Sequence, residues 1–171
     1  MTPRPLRSSG EELLILGIDP GVTGGWALLS QSMELAAGDL PAAGEGTQRM
    51  LSAPLLASVF LSLGEPTLAV CERVGAMPGQ GVSSMFKFGR SVGVIEGVLG
   101  ALNIPIMYVS PNVWKRAFSL APEKEFSRQR AIELWPELAS ELFSRKKDHG
   151  RAEAALIALW GLRAEQAQVV A

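Results

Sequence analysis

Gly17-Ile18-Asp19-Pro20-Gly21-Val22-Thr23-Gly24-Gly25 closes the apolar run that begins at Leu13. The run predicts a buried strand, and the stretch sets one carboxylate at its end with a glycine-rich reversal straight after. An ionised Asp at the edge of a core is costly unless it is paired or holds a cation. Glu72 closes a second apolar run, and Asp148 and Glu153 open the last predicted helix. Four carboxylates converging from two strand ends and a helix start form a donor set for hard divalent cations, which take oxygen ligands.

Working outward, residues 13–19 read as a central strand. Residues 24–30 and 33–40 follow after very short links, which favour antiparallel hairpins and a three-strand meander. Thr47 is the expected N-cap of a helix running to about Leu63, stopped by Gly64-Glu65-Pro66. Residues 67–72 form the next buried strand, and strand–helix–strand order implies a parallel crossover. Residues 74–82 are glycine-rich. A helix over 83–102 carries Gly89, Gly93, Gly97 and Gly100, which suggests close packing on the sheet or on a second subunit. The fifth strand is 105–109. Helices are expected over 111–118, 124–135 and 137–143, and the last from Asp148 to about Gln166. The four tryptophans, Trp26, Trp114, Trp135 and Trp160, read as core rather than as base-stacking platforms.

Length and composition fit one domain, residues 12–166, behind a flexible tail over 1–11. No apolar run reaches the roughly 18 residues that span a bilayer, and the N-terminus has no apolar signal core, so no membrane partner is expected. Cys71 has no second cysteine to pair with, which suits a reducing compartment such as the cytoplasm. A bacterial or phage chain and a processed organelle chain would look alike here. The net charge of −1 hides an asymmetry: residues 1–72 are net −5, whereas residues 73–151 are net +5. A polyanionic partner is thus compatible with the acidic isoelectric point.

The order of elements, with one carboxylate on strand one, another on strand four and more on the last helix, resembles the RNase H-like fold. More narrowly, Gly17-Ile18-Asp19-Pro20-Gly21-Val22-Thr23-Gly24, Val70-Cys71-Glu72 and Phe88-Gly89-Arg90-Ser91-Val92-Gly93-Val94-Ile95-Glu96-Gly97 resemble motifs of the RuvC branch, the Holliday-junction resolvases. Pro111-Asn112-Val113-Trp114-Lys115-Arg116 and Arg145-Lys146-Lys147-Asp148-His149-Gly150-Arg151-Ala152-Glu153-Ala154 are most similar to the chloroplast resolvases of plants and their bacterial relatives. The resemblance spans about residues 13–162. It implies an α/β fold with a five-stranded mixed sheet, three strands antiparallel and two joined by parallel crossovers. It also implies a homodimer that resolves four-way DNA junctions by paired nicks, leaving 5′-phosphate and 3′-hydroxyl ends. The expected cofactor is Mg²⁺, two ions per site with Mn²⁺ able to substitute, and no small-molecule cofactor is expected.

The expected catalytic set is Asp19, Glu72, Asp148, His149 and Glu153, with Asp19, Glu72, Asp148 and Glu153 as metal ligands. Asp148 and Glu153 lie about 140° apart round a helix and cannot share a face, whereas His149 and Glu153 can. Either Asp148 precedes the helix and reaches in, or His149 and Glu153 form the inner pair; Asp148 also reads as an N-cap. Arg73, Lys87, Arg90, Lys115, Arg116, Lys146, Lys147 and Arg151 are the expected DNA contacts, which would position the backbone without reading sequence. Lys115 or Lys146 could instead stabilise transition-state charge. The RuvC branch carries an aromatic wedge shortly after its second carboxylate, and here that role falls to Met77 or Phe86. Two other classes fit the same residues: a nuclease acting on structured RNA, and a non-catalytic junction-binding module. The Asp-x-Gly-x-Thr string also resembles the phosphate loop of actin-like sugar kinases, but that fold needs a second domain and far more chain.

Overall fold

The structure, a computed structural model, describes residues 12–73, 75, 79, 81–121 and 123–170. The expected tail over 1–11 and Met77 lie outside the described residues, as does part of the glycine-rich stretch. The main sheet has five strands: β1 (Leu14–Asp19), β2 (Gly25–Ser30), β3 (Leu35–Asp39), β6 (Leu68–Glu72) and β7 (Ile106–Val109). Their order is β3-β2-β1-β6-β7. The β1–β2 and β2–β3 pairs are antiparallel, and β1–β6 and β6–β7 are parallel. The expected mixed sheet is present.

Two layers of helix cover it, and strand periodicity decides what each layer meets. Ile15 on β1 and Val70 on β6 join one buried cluster, with α3 (Pro111–Ala117), α4 (Lys124–Leu134), α5 (Ala139–Leu142) and α6 (His149–Val170). Leu16, Ile18, Ala69 and Cys71 join the other, against α1 (Ala53–Ser62) and α2 (Val82–Ala101). Gly17 and Asp19 share the parity of Ile15, and Glu72 shares that of Val70. Both acids therefore stand on the α6 side of the sheet, at the strand ends where β1 and β6 stop.

Glycines allow α6 to lie very close to that face. A Cβ on Gly17 would meet Ala154 O at 2.1 Å, and one on Gly25 would meet Gly150 C at 2.5 Å. From the helix side, a Cβ on Gly161 would meet the Val70 side chain at 2.5 Å. Ala152, Ala154, Ala155 and Ala158 are fully buried at the same seam. Small residues on both partners bring the backbones together, and Glu153 comes with them.

Three expectations need correction. The helix expected from Thr47 is instead a 3₁₀ turn (Gly46–Gln48), a short strand β5 (Met50–Leu51) and then α1. Pro54 explains this: in the first turn of α1 its missing N–H costs nothing, whereas a helix begun at Thr47 would put it in the interior. Met50 and Leu51 pair with the short strand β4 (Ala42–Ala43) instead. Secondly, the glycines of α2 do not pack on the sheet. A Cβ on Gly89, Gly93, Gly97 or Gly100 would meet nothing within 4 Å, and it is Ser91, Ile95, Val98 and Leu99 that are buried. Thirdly, α6 begins at His149, because Asp148 belongs to a preceding 3₁₀ turn (Lys146–Asp148). Among the described residues no helix is long and apolar enough to cross a membrane.

Candidate functional site

Asp19, Glu72 and Glu153 meet at one end of the sheet. Asp19 is 6% exposed and Glu153 4%, so both carboxylates are largely withdrawn from water. Burial raises the pKa of Asp19 well above its ordinary value, and repulsion from Glu153 and Glu72 adds to the rise. Glu72 is also raised, by burial first; the Trp114 hydrogen bond opposes this and Glu153 reinforces it. Glu153 and Glu72 thus make Asp19 harder to ionise, and Glu153 does the same to Glu72. Such a cluster is stable as anions only if positive charge enters it.

Part of that charge comes from the protein. Lys115 Nζ lies 3.1 Å from Glu153 Oε1, and the lysine also lies 5.3 Å from the centroid of the Trp114 ring. Ser127 Oγ, fully buried on α4, donates to the same Glu153 oxygen at 3.3 Å. Trp114 Nε1 donates to Glu72 Oε1 at 2.8 Å. Lys124, at the start of α4, acts with Lys115 to lower both Asp19 and Glu72. Trp114, Ser127 and Lys124 were absent from the sequence-derived set. The only signal for Trp114 was its place next to Lys115; Ser127 and Lys124 gave none, because α4 reaches the acids through tertiary packing.

Asp148 does not join the three acids. Its carboxylate accepts the Arg145 backbone N–H at 2.8 Å and guanidinium hydrogen bonds at 2.7 and 2.9 Å. Burial works against its ionisation, but the Arg145 hydrogen bonds outweigh burial and lower its pKa. The carboxylate reaches back to Arg145 and closes the 3₁₀ turn that leads into α6. His149 is the first residue of α6, half-buried, with Nδ1 3.4 Å from Lys146 O. Glu153 thus stands with Asp19, whereas Asp148, although it precedes the helix, is bound to Arg145 and does not reach in.

The basic residues divide into two groups. Arg116, Lys146 and Lys147 are exposed, and Arg90 is exposed on α2. Arg151 instead pairs with Asp39 on β3 at 2.6 and 3.0 Å. Lys87 Nζ donates to Thr47 O at 2.6 Å, and the Arg73 guanidinium sits 5.2 Å from the Tyr108 ring centroid. Lys115 is turned toward Glu153. Phe86 is 72% exposed near the start of α2.

The donor chemistry of the acid cluster suits a hard cation: three carboxylates and no soft ligand, Cys71 lying on the opposite face of the sheet. Among the described residues no three acidic, His or Cys side chains are grouped so as to enclose an ion as they stand.

No protein-family model and no curated protein matches the chain. Solved structures do. Thermus thermophilus RuvC in complex with a Holliday junction substrate matches with a TM-score of 0.57 at 18% identity, over 91% of this chain and 96% of that one. The yeast mitochondrial Holliday junction resolvase Ydc2 matches with a TM-score of 0.56 at 13% identity, over 89% and 80%. The fowlpox virus Holliday junction resolvase matches with a TM-score of 0.52 at 13% identity, over 90% and 99%. At these identities the likeness is one of fold: the chain has the RuvC-type, RNase H-like architecture along nearly its whole described length.

Proposed function

We propose that this chain is a divalent-metal-dependent endonuclease that resolves four-way DNA junctions by paired nicking. The observation that carries the reading is the convergence of Asp19, Glu72 and Glu153 at one sheet end, in a fold shared with three junction resolvases. Asp19, Glu72 and Glu153 are the proposed ligands, with His149 beside Glu153 on the α6 face that a four-residue spacing allows. Mg²⁺ held there, or Mn²⁺ in its place, would lower the pKa of a bound water and stabilise charge on the scissile phosphate.

The chain's own residues hold and orient. Asp19 projects from a strand end fixed by pairing on both sides. Lys115 and Ser127 restrain Glu153, and Trp114 restrains Glu72. Arg116, Lys146 and Lys147 are exposed and would contact backbone phosphates, fixing register without reading bases. Phe86 is an exposed aromatic suited to opening base stacking at a junction centre. A homodimer would match its twofold axis to that of the junction. The unpartnered small-residue face of α2 supports such pairing, because nothing lies within 4 Å of a Cβ on Gly89, Gly93 or Gly97. The workplace is wherever junction DNA arises, the cytoplasm for a bacterial or phage chain.

The test is incubation with a labelled immobile four-way junction and a matched duplex, in Mg²⁺ or EDTA, beside Asp19→Asn. Symmetric nicks in the junction alone, lost in EDTA and in the variant, are the expected result. Tight junction binding with no nicking across several junction sequences would replace the enzyme by a binding module. Absence of both at low salt would remove DNA as the substrate.

A further inference from the structure

We infer that Trp114 is a positioning residue that presets the Glu72 carboxylate for a cation, and that helix α3 gauges the gap between the β6 and α6 carboxylates. The inference rests on the metal-nuclease reading and deepens it. Trp114 is completely buried, and its indole N–H donates to Glu72 Oε1 at 2.8 Å. The same bond lowers the Glu72 pKa against the rise that burial causes. An indole N–H is a donor only, so it can hold a carboxylate oxygen but never compete with it for a cation. One Glu72 oxygen is thereby tied to the core.

Geometry explains why the device sits on α3. Glu72 pairs with Val109 across β6 and β7, and α3 starts two residues after Val109. The indole is therefore locked to the strand next to the one that carries Glu72. Its aromatic surface packs with Trp135, Phe118 and Phe143 in one buried cluster. The next residue, Lys115, reaches Glu153 on α6 at 3.1 Å. Two consecutive side chains on one turn of helix thus grip two acids from different elements. A glutamate has several rotatable bonds, and fixing one of its oxygens in advance removes ordering cost when a cation binds.

The experiment is Mn²⁺ affinity by calorimetry, without DNA, for the wild type, Glu72→Gln and Trp114→Phe. Phenylalanine keeps an aromatic ring in the core and deletes the donor. We expect Glu72→Gln to abolish or greatly weaken binding, and Trp114→Phe to weaken it about 10–100-fold, the usual cost of losing a ligand's supporting partner. In junction cleavage, Trp114→Phe should lower kcat at fixed Mn²⁺ with KM for DNA unchanged, and high Mn²⁺ should restore kcat. A purely structural role would lower the urea midpoint without that rescue. Wild-type protein that binds no Mn²⁺, or Glu72→Gln that binds like wild type, would defeat the functional reading itself. Glu72-dependent binding with Trp114→Phe unchanged would overturn the inference alone. Should Trp114→Phe fail to fold, the indole N–H resonances of the wild type serve instead. One of the four tryptophan signals should move in Glu72→Gln and on Mg²⁺ addition, and no movement in either overturns the proposal.

Discussion

A Cβ placed on Gly17 would lie 2.1 Å from the carbonyl oxygen of Ala154, so β1 and α6 touch backbone to backbone. Gly17 is two residues before Asp19 and Ala154 is one after Glu153, so this contact sets the distance between the two acids. Gly17→Ala must push the helix off the sheet, since a backbone carbonyl cannot swing aside as a flexible side chain can. Overpacking of this kind costs about 3 kcal/mol. The check is a lowered urea midpoint with an unchanged m-value, together with weaker Mn²⁺ binding.

Asp19→Asn should stabilise the metal-free protein at neutral pH. The folded state holds the Asp19 proton more tightly than the unfolded chain does, because burial and the Glu153 and Glu72 charges oppose ionisation. The folded protein therefore binds more protons over that interval, and its stability falls as pH rises from the ordinary value of 3.8 through the raised one. Asparagine removes this slope. Denaturation in EDTA at several pH values should show the wild type losing stability with rising pH more steeply than the variant, which keeps only the smaller contribution of Glu72. Cleavage by the variant should be lost.

Lys115→Ala leaves Glu153 buried without its ammonium partner, since the pair is only 17% and 5% exposed. Breaking such a pair costs roughly 3 kcal/mol. Divalent cations should then return more stability to the variant than to the wild type, by supplying the missing positive charge. Thermal denaturation with and without Mg²⁺ measures both parts; equal Mg²⁺ shifts in the two proteins would contradict the shared-charge view.

The basic residues should separate into two kinds. Lys146→Ala with Lys147→Ala removes exposed charges, so junction affinity should fall evenly across sequences and the salt dependence should drop by about one unit per lost phosphate contact. Arg151→Ala should lower folding stability instead, because its guanidinium is engaged by Asp39. Binding titrations over a salt series, read beside urea curves, distinguish the two.

Much of the site was legible because strand and helix periods constrain parity. Asp19 and Glu72 each end an apolar run, and alternation puts both on the α6 face once the strands pair in parallel. Apolar spacing alone carries α1 back to Thr47, and it is Pro54 that moves the start to Ala53. The Asp148 ambiguity could not be resolved by helical angles, because the deciding contact is a local turn closed by Arg145. Trp114 was rightly assigned to the core, yet its polar edge mattered more. Which way an indole N–H points depends on the packing of Phe118, Trp135 and Phe143 around it, and single-sequence patterns carry no such information. The Arg151 ion pair is illegible for a similar reason, since its partner Asp39 lies 112 residues away.

The seam between α6 and the sheet has a consequence for the order in which this molecule comes into being. Asp19 and Glu72 leave the ribosome long before Glu153 does, and contacts so distant in sequence close late. A nascent chain can pair its strands while still lacking the third acid. Proteolytic loss of α6 would have the same result, and the exposed core face would mark the fragment for destruction. The acid cluster is completed by the docking of a single helix, so on the proposed function a half-made copy would lack the means to cut.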